Sequence, residues 1–456
     1  MTSLTSAPST RTGSVVHEGG VDARMNGMSE RLVDRLGKRV ARGALARLTR
    51  GSVEIREDYG GETFVSGRGA GVAGVAGVAE GLPASLPSRV RVNVKSPRFY
   101  GDVAFGGSVG AAEAYMDGLW ETDDLAGLIE TLIVNYEAYE GLRGPVARLL
   151  APLEWVAALA TRNTRRGSRK NIHAHYDLGN DFFGLFLDRT MMYSCGIFEN
   201  DATTLEQAQV EKVDRACRKL ALGPRDHLLE IGTGWGYAAV HAAGTYGCRV
   251  TTTTISRRQY DAAIERVRES GVADRVTVIM EDYRDLKGSY DKLLSIEMIE
   301  AVGRENIPRF FECCSRLLAP HGAMLLQAIV IRDQYFKAAA GSIDFLKKYI
   351  FPGSCLLGVE AMQRAIAART DMRLWHLEDI GPHYVRTLAA WRAAFIAQRE
   401  RVLSLGFDER FIRMWEYYLA YCEGSFRGRH VGDVQMLLTK PMCRMEPASP
   451  RAAGLA

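Results

Sequence analysis

The segment LLEIGTGWG, residues 228–236, sets Gly232, Gly234 and Gly236 behind a short apolar run and ahead of a helical stretch. Glycines in that position let a chain turn sharply from strand to helix while its backbone lies against a ligand, so a nucleotide-like cofactor is expected. A dinucleotide site wants G-x-G-x-x-G, and Tyr237 stands where the third glycine of that pattern belongs. Glu230, two residues ahead of the first glycine, offers a carboxylate to the amino end or the bound-water shell of a cationic ligand. S-adenosylmethionine, a sulfonium without phosphate, fits this set better than a dinucleotide does. A tight structural turn is the competing explanation.

The following strand ends deepen the cofactor reading. Methyltransferases of this shape usually close the second strand with an Asp or Glu that takes both ribose hydroxyls, but CRVTTTTISRRQ carries only hydroxyls and an amide there. Thr254 and Gln259 are therefore expected to share the ribose and methionine contacts through neutral hydrogen bonds. Asp282, after the next strand, is placed to accept from the adenine amino group, with Tyr283 beside the ring.

These residues need a scaffold. HLLEIG, RVTTTTI, VTVIM, KLLSIE and AMLLQAIV are short apolar or β-branched runs separated by helical stretches, which predicts an α/β fold with a doubly wound, mostly parallel sheet. Ahead of it, residues 1–28 read as a disordered lead and 29–145 as a smaller N-terminal α+β domain. That domain begins with a helix from Ser29, continues as strand, turn, strand around Gly60-Gly61, adds the strand RVRVNVK, and closes with helical patterning through AEAYMDGLWETDDLAGLIETLIVNYEAY. Residues 146–170 join an apolar stretch (Leu149, Leu150, Leu153, Trp155, Val156) to a basic one (Arg162, Arg165, Arg166, Arg169, Lys170), a linker that suits an anionic bilayer surface. The main domain is expected over 171–445, with 446–456 as a tail.

Composition narrows the function classes. The 456 residues allow two or three domains, and 58 basic against 54 acidic side chains give a net charge of only +4, no field for capturing nucleic acid. Eight cysteines without a C-x-x-C pair fit reduced thiols in a cytoplasmic protein and argue against a zinc site. The N-terminus lacks the apolar region of a secretory signal, and no apolar run reaches the ~18–20 residues of a membrane span, so neither an exported nor an integral protein is expected.

Four blocks now carry a resemblance: NIHAHYDLGNDFFGLFLD, MMYSCGIFEN with TLEQAQ after it, LLEIGTGWG, and IEAVG followed by FF and KKYIFPG. On them the sequence resembles the cyclopropane-fatty-acyl-phospholipid synthases and the related mycolic-acid methyltransferases, over roughly residues 171–440. PRFYGDVAFGG and AEAYMDGLW look like the small N-terminal domain of the longer bacterial synthases. The resemblance implies a Rossmann-like S-adenosylmethionine-dependent methyltransferase. It makes Tyr193 and Ser194 cofactor contacts and puts Tyr176 in a lid, and it places Gly232, Gly234, Thr254, Gln259 and Tyr283 where the family binds its cofactor. It also implies a bicarbonate ion beside the methyl acceptor, held by Cys195, Glu300, Ile329 and Tyr384. Gln327, in LLQAI, stands where the family commonly has His; an amide can still donate to an anion but cannot relay a proton.

The chemistry that follows is methyl transfer to an isolated alkene, which leaves a carbocation in a chain that offers no hydrogen bonds. An aromatic, water-free pocket is required, with Phe182, Phe183, Tyr349, Phe351 and Trp391 as candidates. Bicarbonate then removes a proton so that the cyclopropane ring closes; Glu300 would accept from its hydroxyl while Tyr384, Gln327 and the backbone N–H of Cys195 or Ile329 donate to its oxygens. The Cys195 thiol is expected to be cage wall and not nucleophile, and His173 and His175 lid residues and not metal ligands. The expected partner is an unsaturated phospholipid bilayer, anionic by preference, met peripherally at the inner face of the membrane; a homodimer is compatible with the sequence. Loss of the proton from the chain instead would give a methylene- or methyl-branched product, and a catalytically silent lipid-binding protein is the alternative from another class.

Overall fold

The computed structural model describes residues 22–67, 86–87, 89–136 and 178–445. In its N-terminal part α1 (Asp22–Leu45), β1 (Ser52–Glu57), β2 (Thr63–Gly67), β3 (Val90–Val94), α2 (Arg98–Met116), β4 (Trp120–Thr122) and α3 (Leu125–Val134) follow one another. Helix α1 starts ahead of the expected Ser29, at Asp22. The hairpin forms as expected, β1 antiparallel to β2, and β3 lies parallel to β1 with the in-and-out burial that its alternating sequence prescribes. The helical patterning through AEAYMDGLWETDDLAG is interrupted, because the chain leaves α2 through Gly118 at φ +73 and runs extended as β4, whose Trp120 pairs with Val94 and buries its ring. Asp124 then starts α3 by accepting the Gly127 N–H at 2.9 Å.

The larger part runs α4 (Asn180–Phe183), α5 (Leu205–Lys219), β5 (His227–Ile231), α6 (Tyr237–Tyr246), β6 (Arg249–Thr253), α7 (Arg257–Glu269), β7 (Val276–Ile279), β8 (Tyr290–Ile296), α8 (Ile307–Leu317), β9 (Leu318–Ile331), α9 (Asp333–Gly341), α10 (Val359–Arg369), β10 (Arg373–Asp379), α11 (Gly381–Ala397), α12 (Arg399–Ser404), α13 (Glu409–Arg427) and β11 (Val431–Thr439). Its seven strands lie in the order β10-β11-β9-β8-β5-β6-β7, parallel from β9 through β7 and antiparallel at β11 and β10. The five expected strands are the parallel ones. Strands β10 and β11 escaped the sequence pattern for a physical reason: β10 is a half-buried edge, and β11 sets Asp433 and Gln435 inside an otherwise apolar run.

Capping explains several helix starts. Thr204 and Gln207 form a reciprocal capping box at α5, Ser256 accepts from Gln259 N–H at α7, and Asp408 accepts from Phe411 N–H at α13. The N-terminal part docks on α13. Arg413 donates to the backbone oxygens of Tyr115 and Trp120 with its guanidinium 4.2 Å from the Tyr115 ring centroid, and Tyr115 meets Tyr417 at 5.6 Å. Tyr349, expected as a wall for the carbocation, instead donates its hydroxyl to Glu113 of α2 at 2.5 Å and so ties the two parts together. The linker 146–170, the lid residue Tyr176 and the histidines His173 and His175 lie outside the described residues. Among the described residues, no helix is long and apolar enough to cross a membrane.

Candidate active site

Strand β5 delivers the glycine turn. The N–H groups of Gly232 and Thr233 both donate to Thr253 O at 3.1 Å, which pins the turn to the end of β6. Gly234 has φ +52, and a Cβ built on it would meet no protein atom within 4 Å, so its face is open to the cavity. Gly236 differs: at φ +86 its Cβ would lie 3.0 Å from the Ala263 Cβ, and it borders α7, not the cavity. Of the three glycines expected to touch the cofactor, Gly236 therefore serves the close packing of α6 on α7.

The cavity at this turn is lined by Tyr193, Ser194, Glu230, Gly232, Gly234, Thr254, Gln259, Asp282 and Tyr283 among others, all of which the sequence singled out. Thr254 Oγ1 donates to Gln259 Oε1 at 2.9 Å, which leaves the Gln259 amide nitrogen free to turn toward a ligand. Asp282 is clamped by Arg284, whose Nε and Nη2 donate to its two oxygens at 2.8 and 2.5 Å, so its acceptor positions are fixed in direction. Tyr283 packs edge-on against Phe310 at 5.4 Å. Glu230 is buried and accepts from Thr252 Oγ1 at 2.5 Å, and burial pushes its carboxyl up to about 8 against the opposing effects of that hydrogen bond and the Lys212 charge. A buried carboxyl at one end, an open glycine face and directed acceptors at the other suit S-adenosylmethionine, whose charge is positive and whose adenine and ribose need hydrogen bonds. Sequence reasoning missed Trp235, Arg284 and Lys212. Trp235 Nε1 donates to Asn180 Oδ1 at 2.9 Å, and the fully buried Lys212 donates to Ser194 Oγ at 2.5 Å, its ammonium pulled down to about 8 by burial.

Beyond β8 the cavity reaches a cluster of acids. Glu297 follows the strand at φ +46, a left-handed backbone that costs a residue with a Cβ of order 1–3 kcal/mol and persists only where surroundings enforce it. Its Oε1 accepts the Cys195 N–H and Gln327 Nε2, both at 2.8 Å, and its Oε2 accepts the Tyr384 hydroxyl at 2.7 Å. These are donors that the sequence assigned to bicarbonate. In the structure they converge on the carboxylate of Glu297, a side chain of the protein.

The other expected cage members sit around this carboxylate. The Ile329 N–H donates to Glu300 Oε1 at 2.6 Å, whereas Glu300 Oε2 is buried with no hydrogen-bond partner among the described residues. Burial, then the neighbouring Glu297 charge, pushes the Glu300 carboxyl up to about 8. Glu300 does not border the cavity. Gln327 Nε2 also donates to Asp433 Oδ2 at 3.0 Å, and its Oε1 accepts Gln435 Nε2 at 3.1 Å, so the amide uses both ends across the β9–β11 pairing. A histidine cannot make that triple contact. Asp433, missed in the sequence, is fully buried; burial first and the Glu297 charge second hold its carboxyl well above the usual range. The Cys195 thiol donates to the Gly196 and Ile380 oxygens, and burial raises its pKa far above that of a reactive thiolate, in keeping with a wall. The signal for Glu297 was present as a second glutamate three residues before Glu300 in IEMIEAVG, but spacing alone does not say which of the two faces the cavity.

An aromatic layer closes the far side. Tyr193 lies between Phe183, edge-on at 5.4 Å, and Trp391, tilted at 5.2 Å, and shares a 2.7 Å hydroxyl contact with Tyr418, which packs on Phe351. Phe182 is fully buried within the same cluster.

Residues 163–436 match the model of the mycolic acid cyclopropane synthetase family. The chain is 36% identical to the tuberculostearic acid methyltransferase of Mycobacterium tuberculosis over 73% of its own length and 79% of the relative's. It is 35% identical to the cyclopropane-fatty-acyl-phospholipid synthase of Escherichia coli over 80% of its length and 91% of that enzyme's. Among solved structures, a cyclopropane synthase from Mycobacterium tuberculosis superposes with a TM-score of 0.56 at 30% identity, covering 60% of this chain and 98% of that one.

Proposed function

The chain belongs to the mycolic acid cyclopropane synthetase family, and on that premise we propose that it is a cyclopropane-fatty-acyl-phospholipid synthase acting on cis double bonds of unsaturated phospholipid acyl chains. The observation that carries this reading is the junction of a cofactor-shaped cavity with a buried acid cluster and an aromatic wall at one point, Glu297 to Tyr193. When bound, S-adenosylmethionine supplies a methyl group to one alkene carbon and leaves positive charge on the other. Glu230 receives the cationic end of the cofactor, Gln259 and Asp282 orient its sugar and base, and the rings of Tyr193, Phe183 and Trp391 keep water from the charged chain. The bicarbonate expected from the sequence would have to displace Glu297 from its donors before it could serve as base.

A second reading is favoured by one observation, the likeness to a tuberculostearic acid methyltransferase. In it a hydride shifts from the methyl-bearing carbon to its cationic neighbour, and the new cation loses a proton from the methyl group to give a methylene-branched acyl chain, or from the adjacent chain carbon to give a methyl-branched alkene. Purified protein incubated with S-adenosylmethionine and mono-unsaturated phospholipid vesicles, with products read by proton NMR, separates the two, since ring methylene protons resonate far upfield of vinylidene protons. Absence of S-adenosylhomocysteine release would overturn both.

The same proposal places the protein in the cytoplasm, held peripherally on an anionic membrane face by the basic segment Arg162, Arg165, Arg166, Arg169 and Lys170.

A further inference from the structure

Three donors, the Cys195 N–H, Gln327 Nε2 and the Tyr384 hydroxyl, are aimed at one small oxyanion position, and the side chain of Glu297 ends in it. We propose that Glu297 is the general base of ring closure, a carboxylate built into the chain that does the work of a diffusible bicarbonate. The proposal rests on the methyl-transfer reading above.

Four observations support it. Glu297 borders the cofactor cavity, and Glu300 and Asp433 do not. Its Oε1 accepts the Cys195 N–H and Gln327 Nε2 and its Oε2 the Tyr384 hydroxyl, so three directed hydrogen bonds hold the carboxylate at the cavity edge. Its backbone is held at φ +46, a conformation usual for glycine, and that strain at a cavity-lining residue is the kind a fold retains for a functional group. Finally, burial drives both Glu300 and Asp433 toward their neutral forms, so neither of these neighbours is suited to act as a carboxylate base, and the donors that hold Glu297 leave no room for a second anion on them.

The step balances. Transfer of the methyl group leaves a cation on the neighbouring carbon. Glu297 Oε2 takes one proton from the new methyl group, and the electron pair of that C–H bond closes the third side of the ring. The negative carboxylate becomes a neutral acid as the carbocation is consumed, and the proton returns to water once the products leave.

The test uses the full chain, mono-unsaturated phospholipid vesicles and carbon dioxide-free buffer with or without added bicarbonate. Wild type is expected to turn over at the same rate, within about twofold, in both. Glu297→Gly is compatible with the φ +46 backbone; it should lose about 100-fold or more in rate without bicarbonate, the usual worth of a general base, and regain most of it when bicarbonate or formate is added. Glu297→Gln fills the same space without a basic oxygen and should stay inactive with or without the anion. Calorimetric affinity for S-adenosylhomocysteine near that of wild type in both variants shows that they are folded. A wild type silent until bicarbonate is supplied, or a fully active Glu297→Gly in its absence, overturns the assignment while leaving methyl transfer intact. A wild type that releases no S-adenosylhomocysteine under any condition overturns the underlying function, and the base with it.

Discussion

Substituting Gly234 and Gly236 with alanine separates the two tasks of the glycine turn. At Gly234 the added Cβ has no protein atom within 4 Å and projects into the cavity. The backbone at φ +52 charges that alanine about 1–2 kcal/mol for the left-handed conformation, a fall in melting temperature of a few degrees for a domain of this size. Its main effect falls on the cofactor, because a methyl group where ligand atoms belong should weaken S-adenosylhomocysteine at least about 10-fold, or 1.4 kcal/mol. At Gly236 the methyl group would stand 3.0 and 3.1 Å from the Ala263 Cβ and Cα, so α6 and α7 must separate. Overpacking of that kind costs about 1–3 kcal/mol on top of the φ +86 strain. Thermal melting with and without S-adenosylhomocysteine, together with isothermal titration, reads both quantities. The expected pattern is a small melting shift with a large affinity loss for Gly234→Ala and the reverse for Gly236→Ala. Unchanged affinity in Gly234→Ala would remove that face of the turn from the cofactor site.

Because Glu230 titrates near 8 in the free protein, it is mostly protonated at pH 7, and a cationic ligand must drive its proton off. S-adenosylmethionine affinity should therefore rise with pH up to about 8, with up to one proton released per ligand; calorimetry in buffers of different ionisation enthalpy measures it, and an equal release by Glu230→Gln would refute the pairing. Arg413→Ala removes the donors to the Tyr115 and Trp120 oxygens and the cation over the Tyr115 ring, so the N-terminal part should loosen from α13. Faster limited proteolysis near residues 115–125 at unchanged S-adenosylhomocysteine affinity is the expected readout, and a wild-type cleavage pattern would count against it. Replacing Arg162, Arg165, Arg166, Arg169 and Lys170 with Gln should weaken co-sedimentation with anionic vesicles by about 1 kcal/mol per residue at low salt while leaving the cofactor site untouched; equal binding would return that segment to a solvated linker. Gln327→His offers one donor and one acceptor in place of the two donations and one acceptance that the amide makes, so it loses at least one of the three contacts and should lower activity in the vesicle assay even though His is common at that position in the family.

The sequence alone determined what is local. A strand, three glycines and a helix are contiguous, so the turn and its ligand class follow from residues 228–246 without knowledge of the rest. The apolar and β-branched runs of β5 to β9 likewise declare a parallel sheet because both its faces must be covered, and Thr254, Asp282 and Tyr283 just past the strand ends, with Gln259 in the first turn of the helix that follows β6, are brought by such a sheet to one edge. Tertiary structure decided the rest. Gly234 and Gly236 are alike in sequence, and only the approach of Ala263 separates a ligand face from a packing contact. Glu297 and Glu300 stand three residues apart in one apolar segment, and nothing between them tells base from buried neighbour. The difference arises where the backbone at 195, the middle of β9, the start of α11 and the inward polar face of β11 meet, because hydrogen-bond donors from distant stretches converge on one carboxylate and leave the other to the Ile329 N–H and to burial. Spacing along a chain carries no record of such a convergence, so the position expected for a free ion belongs to a side chain that only the folded protein brings there.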